Sequence, residues 1–335
     1  MPQLPSCSAS EFPITDQARV QRLIGKLRDG FLICDGAMGT TLSAGGHEPG
    51  RSLELLNVEQ PDLVRAAHRA YVEAGAEIIQ TNTFQGSRPV LERHPLDEGA
   101  TGAEIIETNT LQGSRPVLEG HRLANRTREL NAAGARLARE AAGDDVFVAG
   151  CIGPTGKILE PYGDYPEEAA RAAFAEQAEA LAEGGVDMFI IETFTALEEI
   201  RAAINGAAAT GLPIAASMSF DPSGRTAFGV TPETAAKELT ASGALVVGAN
   251  CGTISSMEMA DIIAKFRAAT PGLLIAQPNA GRPQRTESGA VYPETPEMMA
   301  DAAERFRELG VAIIGACCGS TAAHIRAIAA RLRGR

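Results

Sequence analysis

The chain of 335 residues contains no tryptophan, only 4% aromatic residues, five histidines and no run of basic residues, and its formal net charge is −12. A nucleic-acid-binding face needs clustered lysine and arginine, so that class of partner is excluded. No apolar stretch approaches the ~18 residues of a membrane span. Met1 to Pro13 has neither the basic nor the apolar region of a secretory leader. A cytoplasmic protein without membrane or nucleic-acid partners is expected. Cysteine is sparse too: Cys7, Cys34, Cys151, Cys251, Cys317 and Cys318. Six thiols in a long chain of this kind point to metal binding or catalysis more than to a disulfide scaffold.

What is present is a repeating strand–loop–helix pattern. Apolar runs fall at 31–35, 76–79, 146–150, 186–191, 213–218, 245–249, 273–276 and 311–314, with helical periodicity between them at about 61–74, 121–141, 166–183, 196–208, 232–241, 256–268, 296–309 and 321–332. The runs are short and apolar on both faces, as parallel strands buried on both sides must be. Eight such units predict a single-domain α/β fold, a (β/α)8 TIM barrel over 16–335, preceded by an irregular arm over 1–15. A doubly wound sheet is the alternative, disfavoured because no glycine-rich dinucleotide turn follows the first strand.

One segment breaks the regularity. Gly75 to Arg88 recurs 27 residues later as Gly102 to Arg115, with Gln80 replaced by Glu107 and Phe84 by Leu111, and the similarity runs on through His94 and His121. Two copies are too few for a solenoid, which needs at least three. The reading is a local duplication, 75–94 and 102–121, inserted around strand two. The first copy is favoured as the barrel strand because it follows its helix directly; Glu107 to Thr110 is the alternative.

Barrel enzymes build their sites at the C-terminal ends of the strands. Those ends carry Asp35, Thr81-Asn82, Cys151, Glu192, Asn250-Cys251, Asn279 and Cys317-Cys318. Adjacent residues of a strand point to opposite faces, so the last pair can share a ligand only where the strand has ended and Gly319 lets the backbone turn. The pair alone allows a metal, a disulfide or packing. With Cys251 at a matching strand end, three thiolates suit Zn²⁺ at about 2.3 Å each and leave a fourth position open. Cu(I) also accepts such ligands; an open site at a barrel mouth favours zinc. Cys7, Cys34 and Cys151 are read as packing residues. His324, one turn into the last helix, is expected to face the barrel wall or solvent. Asp35 and Glu192, aimed into a mouth beside a metal, suit an ammonium group.

Asp35-Gly36-Ala37-Met38-Gly39-Thr40, Glu107-Thr108-Asn109-Thr110, Gly153-Pro154-Thr155-Gly156, Gly248-Ala249-Asn250-Cys251-Gly252, Pro278-Asn279-Ala280-Gly281 and Gly315-Ala316-Cys317-Cys318-Gly319 together resemble the zinc-dependent homocysteine S-methyltransferase family. The likeness covers about 16–333 and is greatest to the homocysteine-binding barrel of cobalamin-dependent methionine synthase. It implies that Cys251, Cys317 and Cys318 bind zinc, and that Asp35 and Glu192 hold the ammonium of L-homocysteine. It implies also that backbone amides of Gly36, Ala37 and Met38 meet the substrate carboxylate, that Asn82 and Asn250 lie at the substrate, and that Asn279 can fill the open metal position beforehand. The expected reaction is methyl transfer to the homocysteine thiol, giving methionine. A thiol of pKa about 8.5 is only ~3% thiolate at pH 7, and metal binding removes the need for a side-chain base. The expected donor is a methylated corrinoid, methylcobalamin carried by a separate protein or domain, with S-methylmethionine or betaine as alternatives. A zinc- and homocysteine-binding barrel without catalysis is the reading from another class.

Overall fold

The computed structural model describes residues 16–44, 52–82, 126–286 and 289–334. Cys7 and the second copy of the duplication, with Glu107, Thr108 and Asn109, lie outside them. Eight parallel strands form one sheet: β1 (Leu32–Ile33), β2 (Ile78–Gln80), β3 (Phe147–Ile152), β4 (Met188–Phe194), β5 (Ile214–Met218), β6 (Val246–Cys251), β7 (Leu273–Pro278) and, after an antiparallel hairpin of β8 (Gln284–Thr286) and β9 (Gly289–Val291), β10 (Val311–Ile314). Each barrel strand from β2 to β7 pairs with the next in the chain. β10 pairs with both β7 and β1. A parallel bridge from Cys34 to Ile78 then closes the ring, with Asp35 N–H donating to Ile78 O at 3.0 Å and Glu77 N–H to Ile33 O at 2.7 Å. This is the expected TIM barrel.

The apolar runs explain the layering. Residues pointing inward (Ile78, Phe147, Met188, Ile190, Ala215 and Ile275 among them) pack with Leu23 and Leu27 of the first helix (Gln17–Asp29). That helix therefore plugs one end of the barrel, and Asp16 caps it by accepting from the N–H groups of Ala18 and Arg19. Outward-pointing residues such as Val148, Ile191, Val247 and Leu274 face the ring of helices. At Gly248 the contact between neighbouring strands leaves no room for a side chain, since a Cβ there would lie 1.9 Å from the carbonyl oxygen of Ile275. The helix after β6 (Ser256–Ala269) starts on a capping box between Ser255 and Glu258. Among the described residues no helix is long and apolar enough to cross a membrane.

β4 does not stop at Glu192 as expected but runs to Phe194. Thr193, at φ 66°, breaks the pleat, and the register with β5 slips between Ile191 and Phe194. Glu192 thus sits at a local end of regular pairing inside a longer strand.

Candidate metal and substrate site

Three thiols meet at the C-terminal mouth of the barrel. Cys251 is the last residue of β6 and takes a left-handed backbone (φ 51°), followed by Gly252 at φ 79°. β10 ends at Ile314, so Cys317 and Cys318 lie in the turn beyond it, freed from the alternation of a strand. Cys317 N–H donates to Pro278 O at 2.7 Å. Gly319, at φ 75°, lets the chain pass under Tyr292, whose Cγ would be 2.2 Å from a Cβ there.

The sulfur separations are 2.8 Å for Cys251–Cys317 and 3.7 Å for both Cys251–Cys318 and Cys317–Cys318. Tetrahedral ligation by thiolates at about 2.3 Å requires sulfurs about 3.8 Å apart. Two of the pairs already meet that spacing, and the third needs to open by about an ångström. All three cysteines are buried and free of disulfides. Cys317 resists ionising beside the other two: its thiol is pushed well up, chiefly by its hydrogen bonds with Cys251 and Cys318 and then by burial. A soft cation is what such a donor set accommodates. Tyr292, which no motif or spacing singles out, packs against the trio, and burial together with the three sulfurs raises its phenol far above the usual range.

The two acids stand in the same mouth. Asp35, 1% exposed, accepts from Gln80 N–H at 2.8 Å and from the Cys34 thiol at 3.5 Å. Glu192, 2% exposed, accepts at Oε1 from Gln80 Nε2 at 2.8 Å and from the Cys151 thiol at 3.1 Å. Its Oε2 has no partner. Burial drives both carboxyls up, Glu192 to about 7 and Asp35 well above the ordinary value. Two such groups in one dry pocket call for a cation. Cys34 and Cys151, expected only to pack, are buried but also donate to these acids.

The remaining expected site residues are placed differently. The Asn82 amide donates to Leu53 O and to Asn57 Oδ1, both at 2.9 Å, which directs it to the segment after the first loop. Asn250 Oδ1 accepts from Thr193 N–H and Ser217 Oγ at 2.8 Å, and its Nδ2 donates to Thr193 Oγ1 at 2.7 Å. It holds the strained residue beside Glu192. Asn279 donates to Gly252 O at 2.8 Å and accepts from Cys318 N–H at 3.1 Å. Both ends of its amide are engaged, so it clamps the two cysteine-bearing loops together. In the Gly36–Met38 turn, Ala37 N–H donates to Ser320 Oγ at 3.0 Å, and Ser320 Oγ donates in turn to Cys317 O at 2.6 Å. The Met38 side chain is buried with Leu42, Leu53 and Leu56. His324 closes a capping box with Thr321, and its Nε2 lies 3.1 Å from Glu294 O. In the Gly153–Gly156 motif, Thr155 anchors its loop on buried Glu199 through N–H at 2.7 Å and Oγ1 at 2.6 Å.

The chain is 30% identical over 328 residues to methionine synthase of Mycobacterium tuberculosis and 28% identical over 327 residues to that of Mycobacterium leprae, matching 92% of this chain in each case. It spans only about a quarter of the length of those relatives (25% of each). In structure it resembles the metallated form of the homocysteine methyltransferase MmuM from Escherichia coli, with a TM-score of 0.68, 23% identity, and coverage of 93% of this chain and 99% of that one; the likeness supports the fold. The homocysteine S-methyltransferase family model matches residues 32–101 and 99–332, and the chain belongs to that family.

Proposed function

We propose that the chain methylates the thiol of L-homocysteine, forming methionine, at a zinc ion held by Cys251, Cys317 and Cys318. The observation that carries this reading is the convergence of three sulfurs, from two separate strand ends, at spacings close to those of a tetrahedral thiolate site. When bound, zinc supplies the Lewis acidity that keeps a substrate thiol in its nucleophilic, deprotonated form at neutral pH.

The chain's own residues do the rest. Asp35 and the free Oε2 of Glu192 take the substrate ammonium, which restores the charged state that burial opposes. Fixing that end directs the thiol toward the sulfurs, since Glu192 lies near enough to Cys251 to feel its charge. The amides of Gly36 and Met38 remain for the carboxylate; that of Ala37 serves if Ser320 releases it. The walls are dry: Cys251, Cys317, Cys318, Asp35 and Glu192 are each at most 4% exposed. A dry site suits transfer of a methyl group to sulfur rather than loss of the donor to water.

The donor proposed is a methylated corrinoid carried by a separate domain or protein, because the curated relatives of which this chain spans a quarter are methionine synthases. The test is to supply purified protein with homocysteine and, in turn, a methylcorrinoid, S-methylmethionine and betaine, and to measure methionine. About one zinc per chain is expected, and Cys317→Ser should abolish both zinc and activity. Full activity in metal-free protein would refute the proposal, whereas bound zinc and homocysteine without methionine from any donor would favour a binding barrel.

A further inference from the structure

A single residue touches both of the buried acids. Gln80, the last residue of β2, presents its backbone N–H to Asp35 Oδ2 and its side-chain Nε2 to Glu192 Oε1, each at 2.8 Å. The other end of its amide accepts from Gln277 Nε2 at 2.7 Å. Gln277 is 1% exposed, and its own Oε1 has no partner. A carboxylate only accepts, so the NH₂ of Gln80 must face Glu192, and the donor from Gln277 locks it against turning over. With Oε1 of Glu192 occupied from below by Gln80 and Cys151, Oε2 is left as the oxygen free for a ligand.

We infer that Gln80 is the positioning residue of the ammonium subsite: it joins Asp35 to Glu192 across the barrel and sets which Glu192 oxygen meets the substrate. The inference rests on the proposed function above and names a specificity determinant within it. The duplication supplies a comparison, because the second copy carries Glu107 in the place of Gln80. Two carboxyls at hydrogen-bonding distance cannot both ionise, so a glutamate at position 80 would share a proton with Glu192, an O–H···O bridge taking the place of the N–H···O one. The substitution that separates the copies is therefore conservative for this role, whereas an apolar residue is not.

The test uses zinc-loaded protein and calorimetric titration with L-homocysteine and with 4-mercaptobutanoate, which is homocysteine without its ammonium group. The wild-type protein should favour homocysteine by about tenfold or more, the value of one well-placed charged contact. Gln80→Leu should bring the ratio close to one while leaving 4-mercaptobutanoate affinity and zinc content unchanged. Gln80→Glu should keep the ratio to within about threefold of wild type. Gln277→Leu, which releases the Gln80 amide to rotate, should lower the ratio at least about threefold and decides the matter if Gln80→Leu fails to fold. An unchanged ratio in Gln80→Leu, or in Gln277→Leu where that variant decides, overturns the inference, as does equal weakening of both thiols. If the wild-type protein itself does not distinguish the two thiols, the ammonium reading of Asp35 and Glu192 fails first and this inference falls with it.

Discussion

Buried groups without partners mark out two different kinds of residue. Glu192 Oε2 is unpartnered in a polar mouth; both ring nitrogens of His68 are unpartnered in a helix face that is 0% exposed. Burial alone lowers His68 to about 3. Its folded pKa lies below the unfolded value near 6.5, so the unfolded chain binds a proton between those limits while the folded one does not. Stability therefore rises with pH through that window and is lost on acidification, with a slope of up to ~1.4 kcal/mol per pH unit. His68→Leu should flatten this limb, and urea unfolding at pH 5 and pH 7.5 measures it. At this scale the cysteines were legible in the sequence, because thiols at separate strand ends have few other uses. The asparagines were not. Asn82, Asn250 and Asn279 stand at strand ends as a substrate contact would, and the hydrogen bonds they make to neighbouring loops and to the strained Thr193 cannot be read from that position.

Strands and helices were readable for a simple reason: apolar runs alternating with amphipathic stretches leave a parallel barrel as the consistent packing. Their limits were less so, because they depend on local geometry such as the left-handed Thr193 that lets β4 continue past Glu192. The contact between β6 and β7 at Gly248 gives an element-level prediction. Gly248→Ala places a methyl against the Ile275 carbonyl, forcing β6 from β7 three residues before Cys251. Destabilisation of more than about 3 kcal/mol and loss of bound zinc are expected, read by urea unfolding and metal analysis. Retained zinc at full stability would show that the pair can part without disturbing the sulfurs.

For the molecule as a whole, the duplication is the departure from an even eightfold plan. Among the described residues the pairing of β2 with β1 and β3 is made by the first copy, through Ile78, Ile79 and Gln80. Excising 84–110 removes one full period, joins Thr83 to Leu111 and keeps those residues in place. The shortened chain should fold with zinc binding intact and a melting temperature within a few degrees of the parent, as loop length carries only a small entropic cost. An insoluble or zinc-free product would give the second copy a part in the barrel itself. The family resemblance was visible across nearly the whole chain because its motifs sit at strand ends; the insertion was visible only as self-similarity, and self-similarity carries no information about which copy pairs.

The clamp formed by Asn279 fixes Cys251 and Cys318 in one unit, and within it the Cys251 and Cys317 sulfurs stand 2.8 Å apart. A metal that occupies such thiols also shields them from oxygen. Once a chelator strips it, the same closeness becomes a liability, because one thiolate faces another at attacking range and any mild two-electron oxidant can couple them. Chelated protein stored in air should lose two titratable thiols and its capacity to rebind zinc, and a reductant should restore both. The zinc would then be the antioxidant of its own site.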